Sequence, residues 1–431
     1  MVIRKGYKQT EVGVIPEDWD CREINSEIKE ISMGPFGSDI PVSCFTSEGV
    51  PVLNGHSVSK IKLIDIFKNY VSKEKAKSLK KAVAQQGDII VTHRGTIGQI
   101  SYIPIGSRYK KYVISQSQFR VRLNQDTVNP HFVVSYFLSP KGQSFLLEKK
   151  GHTGVPALAQ PTTNFRKLCI PLPSLPEQEQ IVNAFEDIDD LILSLEKHIS
   201  KKKSIKQGAM QELLTGKRRL PGFSGKWRTE IIPDVLQKQE GIKIGPFGSQ
   251  LKKEYLLDDG PYRVYGQENV YAQDFTIGNR YLNRERFRQL QSCEVRPGDF
   301  LISTMGTIGK CAIVPNGIHS GIMDSHLIRL RINEQKLMPE YLLHLFSEEL
   351  GYLKGQTSKL SVGGIMDGLS TKIVNALNVF YPEDLSEQKA IAEFLSTMNA
   401  EIQTLEQKLE KYRQVKQGMM QQLLTGKIRL V

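Results

Sequence analysis

The segment that decides the fold reads Lys206-Gln207-Gly208-Ala209-Met210-Gln211-Glu212-Leu213-Leu214-Thr215-Gly216-Lys217, and it recurs 210 residues later as Lys416-Gln417-Gly418-Met419-Met420-Gln421-Gln422-Leu423-Leu424-Thr425-Gly426-Lys427. Ten of the twelve positions are identical, without a gap. A match of this length at a fixed offset indicates an internal duplication. Each copy ends a half that begins at a tryptophan-containing segment, Pro16-Glu17-Asp18-Trp19 or Gly225-Lys226-Trp227. Two similar halves suggest a protein with two similar binding sites.

Composition narrows the class of protein. The 431 residues are enough for two or three domains, and the formal net charge of +12 favours a polyanionic partner. The five cysteines are scattered, and none forms a Cys-x-x-Cys pair, which argues against a disulfide framework or a zinc site. The start lacks an apolar secretion segment, and no apolar run reaches the roughly 18 residues that span a bilayer. We therefore expect a cytoplasmic protein with free thiols and no membrane partner.

A helical stripe of apolar residues leads into each copy of the repeat. After Glu177 and after Glu387, apolar residues recur in steps of four and three, which is typical of one face of a helix. Each stripe predicts a helix of about 36 residues, roughly 54 Å long. The matching register favours pairing of the two helices with each other over packing in an ordinary bundle. The predicted seam and partner interface consists of Ile181, Phe185, Ile188, Ile192, Leu195, Ile391, Leu395, Met398, Ile402, Leu405 and Leu409.

The region before each helix is typical of strands and turns with an embedded helix, so the predicted fold class is α+β. Asp88-Ile89-Ile90-Val91-Thr92 leads into a glycine-bounded turn at Arg94–Gly98, and Gly298–Ile302 leads into a turn at Met305–Gly309, 211 residues later. Gly34-Pro35-Phe36-Gly37-Ser38 likewise matches Gly245-Pro246-Phe247-Gly248-Ser249 at the same offset. Both halves are therefore predicted to share one fold.

The search for catalytic residues is negative. The chain has no Gly-x-x-x-x-Gly-Lys-[Ser/Thr] phosphate loop and no Asn/Asp-Pro-Pro-aromatic tetrapeptide of the amino-methyltransferase type. Two segments, Glu27-Ile28-Lys29 and Glu387-Gln388-Lys389, resemble nuclease motifs. They indicate a nuclease site only weakly, since the second lacks its lysine in the repeated copy. The eight histidines include no His-x-x-x-His pair. We expect neither catalytic residues nor a metal site.

Basic residues form the strongest candidate binding surface. Between His56 and Lys111 twelve basic residues stand against three acidic ones, whereas the matching stretch of the second half uses arginine. Such a surface binds phosphates without sequence preference, and base recognition then needs forked or amide side chains at groove edges. The alternative for the run Lys73 to Lys81 is a solvated charge cluster that only aids solubility. The candidate DNA-binding residues are Lys60, Lys62, Arg94, Arg108, Lys110, Lys111, Arg120, Arg122, Arg263, Arg284, Arg286, Arg329 and Arg331.

Together these features closely resemble the DNA-specificity subunit of type I restriction-modification systems. The resemblance covers nearly the whole chain and rests on the two Gly-Asp hairpins with Gly-Thr-Ile-Gly turns, the exit Ile170-Pro171-Leu172-Pro173-Ser174-Leu175-Pro176-Glu177-Gln178, and the Leu-Leu-Thr-Gly-Lys ends. The second exit, Phe380–Gln388, departs from the pattern because it lacks the Pro-x-Pro.

The resemblance implies two target-recognition domains, 1–173 and 219–383, and two conserved antiparallel coiled-coil helices, 174–218 and 384–431, that act as spacer. It implies a subunit without catalytic activity that reads an asymmetric, bipartite double-stranded DNA target. The implied partners are modification (methyltransferase) subunits, two in number, and restriction/translocase subunits. S-adenosylmethionine, ATP and Mg are expected on those partners, and no cofactor is expected on this chain.

Two strands alternate apolar residues with arginine, Phe119-Arg120-Val121-Arg122-Leu123 and Ile328-Arg329-Leu330-Arg331-Ile332. This period places both guanidinium groups of a strand on one face. We expect Arg94, Arg120, Arg122, Arg329 and Arg331 to face DNA. Two other functions stay open on the residues alone: a self-contained DNA methyltransferase or nuclease, which needs a cofactor motif that is not found, and a coiled-coil adaptor that does not bind DNA.

Overall fold

The computed structural model describes residues 3–148, 150–151, 156–360 and 368–430. It divides into two compact units, unit 1 with Met1–Leu195 and Lys408–Val431, and unit 2 with Glu196–Gln407. This division differs from the four segments expected from the sequence, because it cuts both long helices near their middles. The helices are α5 (Leu175–Leu213) and α11 (Leu385–Leu423), each of 39 residues.

Unit 1 is a strand-rich domain joined to the start of α5 and the end of α11. Its shorter helices are α1 (Lys73–Ser78), α2 (Pro130–Leu138), α3 (Pro140–Leu146) and α4 (Pro161–Arg166). Its strands are β1 (Tyr7–Thr10), β2 (Gly13–Pro16), β3 (Asp20–Glu23), β4 (Ile28–Met33), β5 (Val50–Pro51), β6 (Tyr70–Val71), β7 (Val83–Gln85), β8 (Ile89–Thr92), β9 (Ile100–Tyr102), β10 (Lys111–Val113), β11 (Gln118–Leu123), β12 (Lys150–Gly151), β13 (Ala157–Leu158) and β14 (Cys169–Leu172).

Unit 2 repeats this plan around the end of α5 and the start of α11. Its shorter helices are α6 (Gln267–Ala272), α7 (Arg284–Gln289), α8 (Pro339–Leu345), α9 (Tyr352–Leu360) and α10 (Thr371–Asn375). Its strands are β15 (Trp227–Ile231), β16 (Ile242–Ile244), β17 (Tyr262–Tyr265), β18 (Tyr281–Leu282), β19 (Glu294–Val295), β20 (Phe300–Ser303), β21 (Cys311–Ile313), β22 (Gly321–Met323), β23 (Leu327–Leu330) and β24 (Asn378–Pro382).

Each unit is built on a four-stranded antiparallel sheet. The order is β4-β11-β8-β9 in unit 1 and β16-β23-β20-β21 in unit 2. The predicted Gly-Asp hairpins form β8–β9 and β20–β21, which confirms that both halves share one fold. An early strand and the last strand of each domain also pair, β3 with β14 and β15 with β24, so each domain is closed before its chain enters a long helix.

A second, smaller set of strands extends each unit. In unit 2 it is one sheet of order β18-β17-β22-β19, whereas in unit 1 the short pairs β5–β6 and β7–β10 are linked through a parallel bridge between Val52 and Val113. Separate apolar clusters lie under the main and the smaller set in each unit. The two halves thus share their main sheet and differ most in the smaller one.

The ends of the long helices belong to the domain cores. In unit 1, Ile181 and Phe185 of α5 and Leu423 of α11 lie in the main core, and in unit 2 Met210 of α5 and Ile391 of α11 do the same. Most predicted seam residues are buried, and Ile192, Met398 and Leu405 are partly exposed. The first seam positions of each helix therefore pack on a domain core.

Ion pairs show the direction in which the two helices pair inside each unit. In unit 1 Asp189 pairs with Lys416 and Glu177 with Arg429. In unit 2 Lys202 pairs with Glu401, and Arg219 with Glu387. In both units a later residue of the first segment meets an earlier residue of the other, so the segments run antiparallel.

Each long helix ends three residues before the glycine of the repeated motif. Gly216 and Gly426 have φ of 69° and 65°, the left-handed conformation that glycine adopts without strain at a helix C-terminus. A Cβ on Gly426 would lie 2.4 Å from Pro16 and 3.2 Å from Trp19. The Leu-Leu-Thr-Gly-Lys motif is therefore a helix stop that lies against the entry segment of a domain.

Candidate nucleic-acid interface

Three loops emerge at the same end of the main sheet in each unit, because adjacent strands are antiparallel. In unit 1 they are residues 34–38 after β4, 93–99 after β8, and 115–117 before β11. In unit 2 they are 245–249, 304–310 and 324–326. We call this set the loop end of each unit.

The backbones of the two loop ends match closely. A Cβ at Gly34 would lie 1.9 Å from the carbonyl oxygen of Ser115, and one at Gly245 would lie 1.7 Å from that of Asp324. Only glycine permits this approach of two backbones. Ser115 and Asp324 are therefore equivalent positions, which aligns the two loop ends residue by residue.

Side chains on this shared backbone differ between the units. Arg94 and Gln116 are exposed in unit 1, where unit 2 carries the exposed Met305 and the half-exposed Ser325. In unit 2 the turn is held by Tyr271, whose hydroxyl donates to the Met305 carbonyl at 3.1 Å. One backbone with different side chains is what two readers of different base sequences require.

Most of the predicted DNA-binding residues of unit 1 lie on its surface. Lys60, Lys62, Arg94, Arg108, Lys110 and Lys111 are all exposed. A groove of about 640 Å³ is lined by five lysines, Lys73, Lys77, Lys80, Lys110 and Lys111. A neighbouring groove of about 870 Å³ carries Lys77, Lys80 and Lys81 together with residues 33–36 of the loop end. The structure therefore brings the lysine run Lys73 to Lys81 together with Lys110 and Lys111.

Arg120 corrects the sequence-based expectation, whereas Arg122 does not. Both are on one face of β11, as predicted, but Arg120 is buried and Arg122 is 26% exposed. Arg120 is 2% exposed and pairs with Glu30, and Arg122 donates from Nε and Nη2 to the two oxygens of buried Asp88, both at 2.8 Å. Asp88 and Glu30 neutralise both cations. Arg120 is buried and is not presented to DNA, whereas Arg122 is partly exposed in the groove that the five lysines line, so DNA contact by Arg122 stays a prediction.

Arg329 and Arg331 on β23 form the same cluster in unit 2. Arg331 donates from Nε to Asp299 Oδ1 at 3.0 Å and pairs with Glu240, while Arg329 is 1% exposed and donates to the carbonyl of Glu294. The expectation that these arginines face DNA is corrected for the same reason: each is buried against protein acceptors.

The remaining arginines of unit 2 divide into buried and exposed. Arg263 is buried and donates from Nη2 to the carbonyls of Thr276 at 2.6 Å and Gly278 at 2.5 Å, so it holds a loop and is not free to bind phosphate. Arg286 is half-buried, lies 4.0 Å over the Tyr255 ring and donates to the carbonyl of Gln250. Arg284 is exposed. DNA contact by Arg284, Arg286 and the surface lysines stays a prediction.

A buried glutamate anchors the start of each long helix. Glu177 of α5 accepts hydrogen bonds from Trp19 Nε1 at 3.1 Å and from Arg429, which also holds Asp18 at 2.9 and 3.0 Å. The hydrogen bond to Glu177 raises the pKa of Arg429, and the Arg429 guanidinium lowers the pKa of the Asp18 carboxyl.

The same junction recurs in unit 2. Glu387 of α11 is fully buried and pairs with Arg219 through two hydrogen bonds, which raises the pKa of Arg219. The Arg219 guanidinium lies 5.6 Å from the centre of the Trp227 ring, as Arg429 lies 5.7 Å from that of Trp19. In each unit one long helix starts where the other ends.

A buried glutamine follows each of these glutamates. Gln178 accepts from the amide of Asn129 at 2.9 Å, and Gln388 accepts from the amide of Met338 at 2.8 Å. Each also donates to two backbone carbonyls. Sequence patterns did not single out Arg219 or Arg429, although the two recur at an offset of 210 residues.

Unit 1 also contains a buried histidine at the contact between domain and helix. His131 Nδ1 lies 3.2 Å from the Tyr102 hydroxyl and 3.2 Å from Glu186 Oε1 of α5. Lys62 pairs with the same Glu186 oxygen at 2.9 Å, which occupies this predicted DNA contact in the free chain. Burial lowers the pKa of His131 to about 4.

The described residues contain no group of three or more His, Cys, Asp or Glu side chains able to hold a metal ion. Over the same part of the chain, no helix is long and apolar enough to cross a membrane. The five cysteines are free thiols.

Comparisons with known proteins agree with this architecture. The family model of the type I restriction modification DNA specificity domain matches residues 16–207 and 244–413. The putative type I restriction enzyme MjaX specificity subunit of Methanocaldococcus jannaschii is 26% identical, over 99% of this chain and 97% of its own length. The MjaVIII specificity subunit of the same organism is also 26% identical, over 81% of each chain.

Solved structures show the same fold. The S subunit of a type I restriction-modification system from M. genitalium aligns with a TM-score of 0.55 at 15% identity, over 98% of each chain. The HsdS subunit from Thermoanaerobacter tengcongensis aligns with a TM-score of 0.52 at 17% identity, over 96% of this chain and 98% of that one. With two family domains over most of its length, this chain belongs to the family of type I restriction-modification DNA specificity subunits, the non-catalytic DNA-recognition components of their complexes.

Proposed function

We propose that each unit reads one half-site of an asymmetric, bipartite target in double-stranded DNA. The observation that carries this is the pair of loop ends, in which one backbone bears different side chains in the two units. Two readers on one scaffold recognise two different base sequences, and the chain as a whole then has a split target without twofold symmetry.

Phosphate contacts and base contacts are assigned to different residues. The lysines that line the two grooves of unit 1 supply a sequence-independent attraction that holds the duplex. Arg94 and Gln116 stand on exposed turns and carry the fork and amide groups that pair with guanine and adenine edges in the major groove. We assign base reading in unit 1 to these two side chains.

We further propose that two modification subunits dock on the long helices, one on each copy of the repeat. Ile205 and Val415 are equivalent, and both are exposed, at 50% and 42%. Gly208 and Gly418 lie three residues further on, with no atom within 4 Å of an added Cβ. An apolar side chain beside a glycine lets a partner approach closely, and the feature occurs twice, as two identical partners require.

In this proposal the chemistry belongs to the partners. Modification subunits carry S-adenosylmethionine, restriction/translocase subunits carry ATP and Mg, and this chain supplies recognition and assembly in the cytoplasm. The described part of the chain offers no metal cluster of its own, and the buried carboxylates at the helix starts are engaged by arginine.

Selection from a randomised duplex pool tests this function. The complex of this chain with its modification subunit is used to capture duplexes, which are then sequenced. We expect an enriched motif of two different half-sites separated by a fixed spacer. Arg94→Ala with Gln116→Ala should relax one half-site and leave the other unchanged. An enriched motif that is symmetric, or relaxation of both half-sites together, would contradict the assignment.

A further inference from the structure

The two loop ends share an exposed aromatic side chain. Phe36 and Phe247 occupy equivalent positions in the shared Gly-Pro-Phe-Gly-Ser loop, and they are 81% and 68% exposed. Exposing an aromatic ring of this size has no benefit for folding. Because the same ring is exposed twice, on a backbone that tolerates only glycine at Gly34 and Gly245, its contact is one that both units make.

The charges near each ring indicate the kind of partner. Phe36 lines the groove that carries Lys77, Lys80 and Lys81. On the chain just after Phe247, Lys252 and Lys253 are exposed, and Arg286 donates to the carbonyl of Gln250. Protein interfaces place charge-depleted surfaces around their aromatic residues, whereas an aromatic ring beside several cations fits nucleic acid, whose bases stack and whose phosphates pair.

We propose that Phe36 and Phe247 are twin wedges that insert against the stacked bases of DNA, one at each half-site, without discriminating sequence. This inference rests on the proposed function and adds a class of contact to it. The lysines hold the flanking phosphates, the polar turns read base edges, and each ring partly unstacks a base step at a fixed distance from them. Apolar wedges of this kind bend the duplex and increase the protein surface that it contacts.

Phenylalanine variants and lysine variants should differ in how their DNA affinity depends on salt concentration. Phe36→Ala and Phe247→Ala each lower affinity for the selected target by about tenfold, the scale of one base–aromatic stack, and leave the slope of log affinity against log salt unchanged. Lys77→Ala with Lys80→Ala and Lys81→Ala reduces that slope by roughly 0.9 for each phosphate that the protein no longer neutralises. Phe36→Trp retains an aromatic face and keeps most of the affinity.

A matched control exists in the same unit. Ile105 is also 81% exposed, but it follows β9 at the opposite end of the sheet. Ile105→Ala removes a similar exposed apolar side chain and leaves affinity unchanged. The probe is a duplex of the selected target with 2-aminopurine placed in turn at each base step, bound by the complex with the modification subunit.

The expected result is a rise in 2-aminopurine fluorescence at one step in each half-site, which Phe36→Ala abolishes in one half and Phe247→Ala in the other. If both variants bind as tightly as the wild type and fluorescence is unchanged, the inference is overturned. If they instead lose the modification subunit on co-purification while the loop ends still bind DNA, the rings dock protein and the inference is again overturned. If the wild-type complex shows no salt-sensitive duplex binding at all, the proposed function fails, and the inference fails with it.

Discussion

Arg122 binds Asp88 in a forked arrangement, with Nε and Nη2 each 2.8 Å from a different carboxylate oxygen. Asp88 follows Gly87, whose φ is 86°, and it also accepts from the amide of Gln85 at 2.9 Å, so the carboxylate ties the turn that leads into β8 to the neighbouring strand β11. In unit 2, Asp299 holds Arg331 and the amide of Arg296 in the same way. These pairs fasten the central hairpin of each unit.

Asp88→Ala should therefore destabilise unit 1 by about 3 kcal/mol or more, because it leaves Arg120 and Arg122 short of a buried counter-charge. Asp299→Ala should do the same in unit 2. Urea unfolding followed by a fluorophore in each unit measures both effects. Equal stability of wild type and Asp88→Ala would show that the cluster does not fasten the hairpin.

The two tryptophans provide a matched pair of variants. Trp19 donates to Glu177, whereas Trp227 Nε1 has no hydrogen-bond partner among the described residues. Trp19→Phe should cost about 1–2 kcal/mol more than Trp227→Phe, since it leaves a buried carboxylate with one donor fewer. Unfolding free energies of the two variants, measured side by side, decide this. Equal losses would mean that the indole hydrogen bond contributes nothing.

Unit 1 should lose stability in mild acid through His131. The folded pKa is about 4 and the ordinary value is 6.5, so between these values the unfolded state binds more protons than the folded state. The free energy of unfolding therefore falls as the pH drops through that window, by at most about 3 kcal/mol, and the contribution levels off below it.

Comparison with His131→Gln isolates this effect. Glutamine does not titrate, so the stability of the wild type relative to the variant should fall steadily from pH 7 to pH 4, while carboxylates that do not contact His131 affect both proteins alike. A difference that is constant over this range would show that His131 takes up no proton on unfolding.

Gly208→Ala and Gly418→Ala should separate stability from assembly. Alanine in an exposed helix interior stabilises by up to about 1 kcal/mol relative to glycine, and both sites have room for the added Cβ. The free chain should therefore be slightly more stable, while the modification subunit binds several-fold more weakly to each altered site. Thermal unfolding and a binding titration measure the two quantities. Undiminished binding would place the partner elsewhere.

Much of this architecture follows from residue patterns alone. The 210-residue repeat, the two helices and the Gly-Asp hairpins are local or periodic signals, and all are present in the structure. The alternation in β11 also placed Arg120 and Arg122 on one face correctly. It did not show which face is open, because Glu30 and Asp88 reach those arginines from distant points of the chain.

The ion pairs at the starts of the long helices, Arg219 with Glu387 and Arg429 with Glu177, were not predicted, for a different reason. Arg219 and Arg429 follow the repeated motif by two residues, where basic residues are typical of a solvated helix end. Their partners Glu387 and Glu177 lie 168 and 252 residues away, and only the fold brings them together. The available signal was that the two arginines, like the two glutamates, recur at an offset of 210 residues.

The most direct test of the central claim is to map N6-methyladenine by single-molecule sequencing in host DNA after co-expression of this chain with its modification subunit. We predict one new motif, split by a fixed spacer and asymmetric, with a methylated adenine in each half. A stable complex that adds no motif, or one that methylates a contiguous or symmetric site, would contradict recognition by two different readers on one chain.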